Sequence, residues 1–167
     1  MKHMKWMAYS LIILLLLAMV ACGEETPPVS DGIPFSLTCH GVTVTPHEKV
    51  TPVIAALGEG YEYHESASCA FEGLDKVYTY ADIEIYTYPK GDEDYVLSVA
   101  LRSDAVTTDK GLTIGSSCDE VLDAYGEGEI KGSAADGEIG YEAGNTYLKF
   151  LTRGGDVYYV EYGAITE

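Results

Sequence analysis

The sequence predicts an α+β fold: a two-layer arrangement in which one antiparallel sheet, drawn from two α-β-β-β repeats, has its helices packed on one face. Three observations predict it. A strand–helix–glycine unit occurs twice, from Gly41 to Gly60 and from Gly111 to Gly128. Each copy is followed by segments rich in Tyr, Ile and Val, the residues that suit a pleated and half-buried surface. Neither run supplies enough strands for an independent sheet, so the two should join and be roofed by the helices.

The two copies align closely. Gly41-Val42-Thr43-Val44-Thr45 sits over Gly111-Leu112-Thr113-Ile114-Gly115, and Leu57-Gly58-Glu59-Gly60 over Tyr125-Gly126-Glu127-Gly128. Between these ends the register shifts, which places an insertion at the start of the first helix. Val50, Val53, Ile54 and Leu57 follow i, i+3, i+4, i+7, and Cys118, Val121, Leu122 and Tyr125 repeat that spacing, so each helix has one apolar stripe for a core. Ser117 with Glu120 fits a capping box, and Thr45 with Glu48 could act likewise. Pro52 predicts a kink, or a helix that starts with Thr51 as cap. Gly58 and Gly126 are natural left-handed stops.

The chain of 167 residues divides into three parts. Residues 1–21 read as a signal segment: Lys2 and Lys5 are followed by an apolar run from Leu11 to Val20 and by Met19-Val20-Ala21-Cys22. This resembles the lipobox of bacterial lipoproteins, which implies cleavage before Cys22, acylation (palmitate) of its thiol, and anchorage in the cell membrane facing outside the cytoplasm. The run is shorter than the ~20 residues that a membrane-crossing helix needs. Residues 22–34, with Pro27-Pro28 and Ser30-Asp31-Gly32, form a flexible tether. The folded domain is 35–167, repeat one 35–108 and repeat two 109–167. Formal net charge is −17, and loss of Lys2 and Lys5 makes the mature chain more acidic still. Nucleic acid is thereby excluded, as is anionic lipid beyond the acyl anchor, since both repel a negative surface.

Within the domain, Phe35, Leu37 and Cys39 alternate with polar residues as a half-buried strand does, and Gly41 interrupts before Val42 to Val44. Tyr61 to Gly73 reads as a loop carrying His64 and Cys69. Val77–Tyr80, Asp82–Tyr88 and Asp94–Leu101 are strands, with a hairpin turn at Pro89 to Glu93. Arg102 to Lys110 crosses over to the second unit. There Glu129 to Glu138 reads as a Gly/Ala-rich loop, followed by strands Ile139–Glu142, Asn145–Leu151 and Asp156–Tyr162, the last two joined through Arg153-Gly154-Gly155.

A tandem of short helices ending in Gly, each followed by antiparallel strands and preceded by Gly-apolar-Thr-apolar, resembles the β-lactamase-inhibitor-protein-like fold. It is also similar to the helix–strand unit of small outer-membrane-assembly lipoproteins. The resemblance covers residues 35 to 162 and implies a non-catalytic, extracytoplasmic binding fold. No inhibitory residue is carried across. That inhibitor has a disulfide in each unit, whereas the second unit here has only Cys118. Cys118 falls on the apolar stripe at the place of Val50 and reads as a small buried hydrophobe. Cys39 and Cys69 are then expected to pair, with a Cys69–Cys118 bridge as the alternative.

Signals for catalysis are poor. None of His-Glu-x-x-His, Cys-x-x-Cys, Gly-x-Ser-x-Gly or a phosphate loop occurs. His40 directly follows Cys39, and strand neighbours point to opposite faces. His47, Glu48 and His64 read as surface residues rather than metal ligands, and Asp92-Glu93-Asp94 lacks the spacing of a calcium loop. No cofactor is expected. An exported enzyme or metal- or calcium-binding protein, using the His64/Cys69 loop or the Asp92–Asp94 turn, is the alternative to a binding module.

The other face of the sheet is more informative. If Ile83, Ile85, Leu97, Val99, Leu101, Leu148, Phe150, Val160 and Tyr162 point at the helices, then Glu84, Tyr86, Tyr88, Val96, Ser98, Ala100, Tyr147, Lys149, Tyr159 and Glu161 point away. Tyrosine offers large contact area at low entropic cost. Tyr86, Tyr88, Tyr147, Lys149 and Tyr159 are therefore the candidate binding face, for an exported protein or a cell-wall component.

Overall fold

A computed structural model describes residues 32–166. Ten strands and two helices follow in order: β1 Leu37–Cys39, β2 Val42–Val44, α1 Val50–Leu57, β3 Glu62–Ala67, β4 Leu74–Thr79, β5 Ile83–Lys90, β6 Glu93–Leu101, α2 Cys118–Tyr125, β7 Glu129–Gly132, β8 Gly137–Ala143, β9 Thr146–Arg153 and β10 Asp156–Ala164. β1 and β2 form a small hairpin, closed by His40 and Gly41 at positive φ. The other eight strands form one antiparallel sheet, ordered β3-β4-β5-β6-β10-β9-β8-β7.

This architecture corrects the expected fold class. The protein is mostly β, with 48% strand against 12% helix, and each helix is followed by four strands rather than three. A helix of 8 residues is only about 12 Å long, against a sheet whose strands are spaced about 4.8 Å apart. Two such helices are too short to form a second layer. The two missed strands, β3 and β7, lie at the outer edges of the sheet and are exposed along their whole length. Glu62-Tyr63-His64-Glu65-Ser66-Ala67 and Glu129-Ile130-Lys131-Gly132 have no buried side, so they carry no hydrophobic period to read. Charged edge residues of this kind protect a sheet from pairing with other chains.

The core lies on one side of the sheet. Ile83, Ile85, Val99, Leu148, Phe150 and Tyr162 from the strands meet Val50 and Val53 of α1, Val121 of α2, Leu37 and Val44 of the small hairpin, and Leu112 of the connecting segment. A β-bulge between β5 and β6 changes the expected alternation: Tyr86 pairs with Ser98 but Thr87 pairs with Val96. The extra residue, Leu97, is only half-buried while Val96 is fully buried in the core.

The two repeats share details beyond their strand order. Each helix start is bridged to the last strand of its own repeat, Lys49 to Tyr95 and Ser117 to Asp156. A tyrosine donates its hydroxyl to the glycine carbonyl that ends each helix, Tyr80 to Gly58 at 3.1 Å and Tyr141 to Gly126 at 2.8 Å. Thr87 and Thr152 each insert a hydroxyl into the neighbouring ladder, accepting from the Lys76 and Gly137 amides at 3.0 and 3.1 Å. Ser117 and Glu120 form the complete capping box. In α1 the cap is Lys49, without a side-chain bond. Pro52 is its third residue, inside the first turn where an amide has no helical partner, so the proline costs no bond there.

Candidate functional site

The face opposite the core is built from alternating residues of β5, β6, β10 and β9. Strand pairing sets Glu84 beside Ala100, Ala100 beside Glu161, and Glu161 beside Lys149. The adjacent row runs Tyr86, Ser98, Gly163, Tyr147. In the second row the small residues Ser98 and Gly163 lie between the two tyrosines, and in the first Ala100 lies between Glu84 and Glu161. A Cβ on Gly163 would lie 2.1 Å from the Tyr147 ring, so that ring rests on the glycine backbone. Ser98 is 5% and Ala100 1% exposed, although the helices and the small hairpin pack on the other side. The side chains of the face itself pave its middle.

Glu161 is the hub of this paving. It is 8% exposed, and its carboxylate accepts the hydroxyls of both Tyr147 and Tyr159. Lys149 Nζ lies 3.0 Å from Oε1 and 5.3 Å from the centre of the Tyr147 ring. A second node is Glu84, which accepts the Tyr86 hydroxyl and, at 2.8 Å, that of Thr79. Burial and then donation to Glu84 push the Tyr86 phenol up to about 12. Burial and donation to Glu161 likewise push Tyr147 and Tyr159 up. For Glu84, burial raises the carboxyl pKa, but the Tyr86 and Thr79 hydrogen bonds and the Arg102 charge outweigh it and hold the carboxyl below its ordinary value. The raised phenol pKa values keep these hydroxyls protonated, as donors to the two carboxylates.

Tyr86, Tyr147, Lys149 and Tyr159 are thus brought together. Tyr88 is not. It is 7% exposed, stacks with Phe71 and Tyr95 at 5.0 and 5.8 Å, and its hydroxyl is 3.0 Å from His47 Nδ1. Strand alternation places Glu84 and Glu161 on this face but does not by itself mark them as the carboxylates that organise the site. The signal for them was present: Glu84-x-Tyr86 and Tyr159-x-Glu161 place acid and phenol on one strand face two residues apart. Tyr63 and Glu65 on β3 make the same bond.

The remaining candidates do not converge. The expected Cys39–Cys69 bridge is not made. All three described cysteines are free, Cys39 buried in the small hairpin, Cys69 exposed on the β3–β4 turn and Cys118 half-buried at the start of α2. Burial, and then the Asp82 charge, raise the Cys39 thiol above its ordinary value. The segment read as a loop around His64 is strand β3. His47 is engaged by Tyr88 and by the Asn145 carbonyl. In the Asp92–Asp94 turn, Glu93 pairs with Lys49 and Asp94 with Lys76. Among the described residues no group of three or more His, Cys, Asp or Glu could hold a metal ion. No helix among them is long and apolar enough to cross a membrane. Cys22 and the signal segment lie outside the described residues. No protein-family model matches this chain, and neither a curated protein nor a solved structure matches it.

Proposed function

We propose that this chain is a lipoprotein anchored through Cys22 on the outer side of a cell membrane, where its tyrosine-paved sheet face binds an exported protein or a cell-wall component without catalysis. The observation that carries the reading is the Glu161 node: two phenols and one ammonium locked onto a single buried carboxylate. Such an array is preorganised, so little side-chain freedom is lost when something docks on it. Its titratable phenols are held away from proton transfer, which favours contact over chemistry. Resemblance to the β-lactamase-inhibitor-like proteins points to the same class of function and belongs to this proposal.

The test is photo-crosslinking on intact cells that express the full chain with a photoreactive side chain at position 86 or 159, and at 104 as a control away from the face. Adducts at 86 and 159 but not at 104 are expected, together with release into the medium when Cys22 is changed to Ala. A folded, anchored protein that yields no adduct at either face position sinks the proposal.

A further inference from the structure

We propose that the cleft where α2 meets the outer end of the second repeat binds a small organic cation, an alkylammonium or guanidinium head on a slender stem. The cleft exists because the two edge strands differ in length. β3 pairs with β4 over six residues, from Glu62 opposite Thr79 to Ala67 opposite Leu74. β7 pairs only from Glu129 opposite Gly140 to Gly132 opposite Gly137, while β8 continues to Ala143. Gly128 lets the chain pass close to β8, since a Cβ there would lie 2.5 Å from the Gly140 carbonyl oxygen and 2.8 Å from the Tyr141 ring. The remaining notch, lined among others by Phe35, Tyr125, Glu127, Glu129, Tyr141 and Tyr147, has a volume of about 670 Å³. That is within the range of small-molecule sites.

Its walls are aromatic and acidic together. Of the two lysines on the lining, Lys131 is taken by Glu138 at 3.1 Å and Lys149 by Glu161 at 3.0 Å. The Glu127 and Glu129 carboxylates have no hydrogen bond or salt bridge among the described residues. The rings already attract the chain's own ammonium groups: Lys110 sits 5.1 Å from the centre of Tyr125, and Lys149 5.3 Å from that of Tyr147. Ring faces attract cations through their quadrupole, and the overall charge of −17 draws cations toward the molecule. Neutral phenols complete the wall, since burial raises the pKa of Tyr125, Tyr141 and Tyr147. The first repeat has a smaller counterpart of about 430 Å³ beside α1, lined by Ile54, Tyr61 and Tyr78 but with Glu59 as its lone carboxylate. It serves as an internal control.

The test uses the full chain in detergent micelles and reads tyrosine ring resonances by NMR. The probes are 1,4-diaminobutane, an extended hexapeptide with one central lysine, and the same peptide with norleucine in place of lysine. Saturable shifts at Tyr125 and Tyr141, with one site per chain, are expected for a cationic probe. Glu127→Gln with Glu129→Gln should weaken binding about fivefold, as loss of exposed charge contacts does, and Glu59→Gln should leave it unchanged. Tighter binding of the diamine assigns the site to free amines, and tighter binding of the lysine peptide assigns it to a basic segment of another protein. No saturable shift with either cation, equal binding of the norleucine peptide, or binding indifferent to the double variant overturns the proposal.

Discussion

The two repeats attach their helices through the same main-chain bonds, and only the second adds a side-chain cap. In the second, Ser117 and Glu120 satisfy each other and the helix start through side chains. In the first, Lys49 caps nothing, and only the shared main-chain pair holds the approach: His47 at φ 71 donates its amide to the Val96 carbonyl and the Val96 amide donates to the Glu48 carbonyl, as Gly115 does to Val157 and Val157 to Ser116 in the second. What both repeats keep is the bridge from helix start to the last strand and the tyrosine on the terminal glycine carbonyl. The lesson is that attachment to the sheet is the common requirement, and the local cap is replaceable. The ring clusters differ as well. Tyr125 and Tyr141 pack on fully buried Phe150 at 5.6 and 6.3 Å, whereas Tyr61 packs only on the half-buried Tyr78 and Tyr80.

That contrast sets the largest expected effect. Phe150→Ala should cost about 3–5 kcal/mol, as large-to-small changes in a close-packed core do. Tyr61→Ala should cost about 1 kcal/mol, the scale of a peripheral ring pair. Urea denaturation of the two variants measures both, and equal losses would mean that the repeats bury their rings equally. A smaller difference separates the caps. Ser117→Ala should lose about 1 kcal/mol, while Lys49→Ala, which removes only an exposed ion pair with Glu93, should stay within about 0.5 kcal/mol. Equal effects would mean that the side-chain cap adds nothing to the main-chain attachment that both repeats share.

The smallest expected effect is in pH dependence, and it contrasts the two partners of the Glu84 node, phenol and carboxylate. The folded Tyr86 phenol, at about 12, lies above its unfolded value of about 10. Its contribution is therefore complete below pH ~10 and is lost as pH rises through the folded value. Glu84 is held low, so its contribution is present above its unfolded value of about 4.3 and is lost as pH falls through the folded one. Denaturation midpoints between pH 3 and 12 should form a plateau with two falling limbs, and Tyr86→Phe should flatten the alkaline limb. An unchanged alkaline limb in that variant would transfer its origin to the Glu161 node.

Much of this was legible in the chain and some was not, for identifiable reasons. The apolar stripes through Val53 and Val121 and the box at Ser117 announce themselves because their spacing is helical and local. β3 and β7 were read as loops because an edge strand with no buried side has no period. Val96 was placed on the outer face because one bulge residue, Leu97, is invisible to strict alternation, whereas Tyr88 is withdrawn from the binding face by Phe71 and His47, which come from distant segments. Strand alternation puts the tyrosines and also Glu84 and Glu161 on the binding face, but that these carboxylates lock the phenols depends on contacts made by the folded sheet.

The sequence by itself determined the duplication, the helix positions and their glycine stops, since these depend on contacts within a few residues. Only the tertiary structure decided that eight strands join at β6 and β10, that Glu161 gathers two phenols and a lysine, and that a short β7 leaves an open cleft. Those features come from register and from the pairing of distant segments. Strand pairing carries no local signal of which partner a segment will find, so side chains far apart in the chain meet only once the sheet has formed.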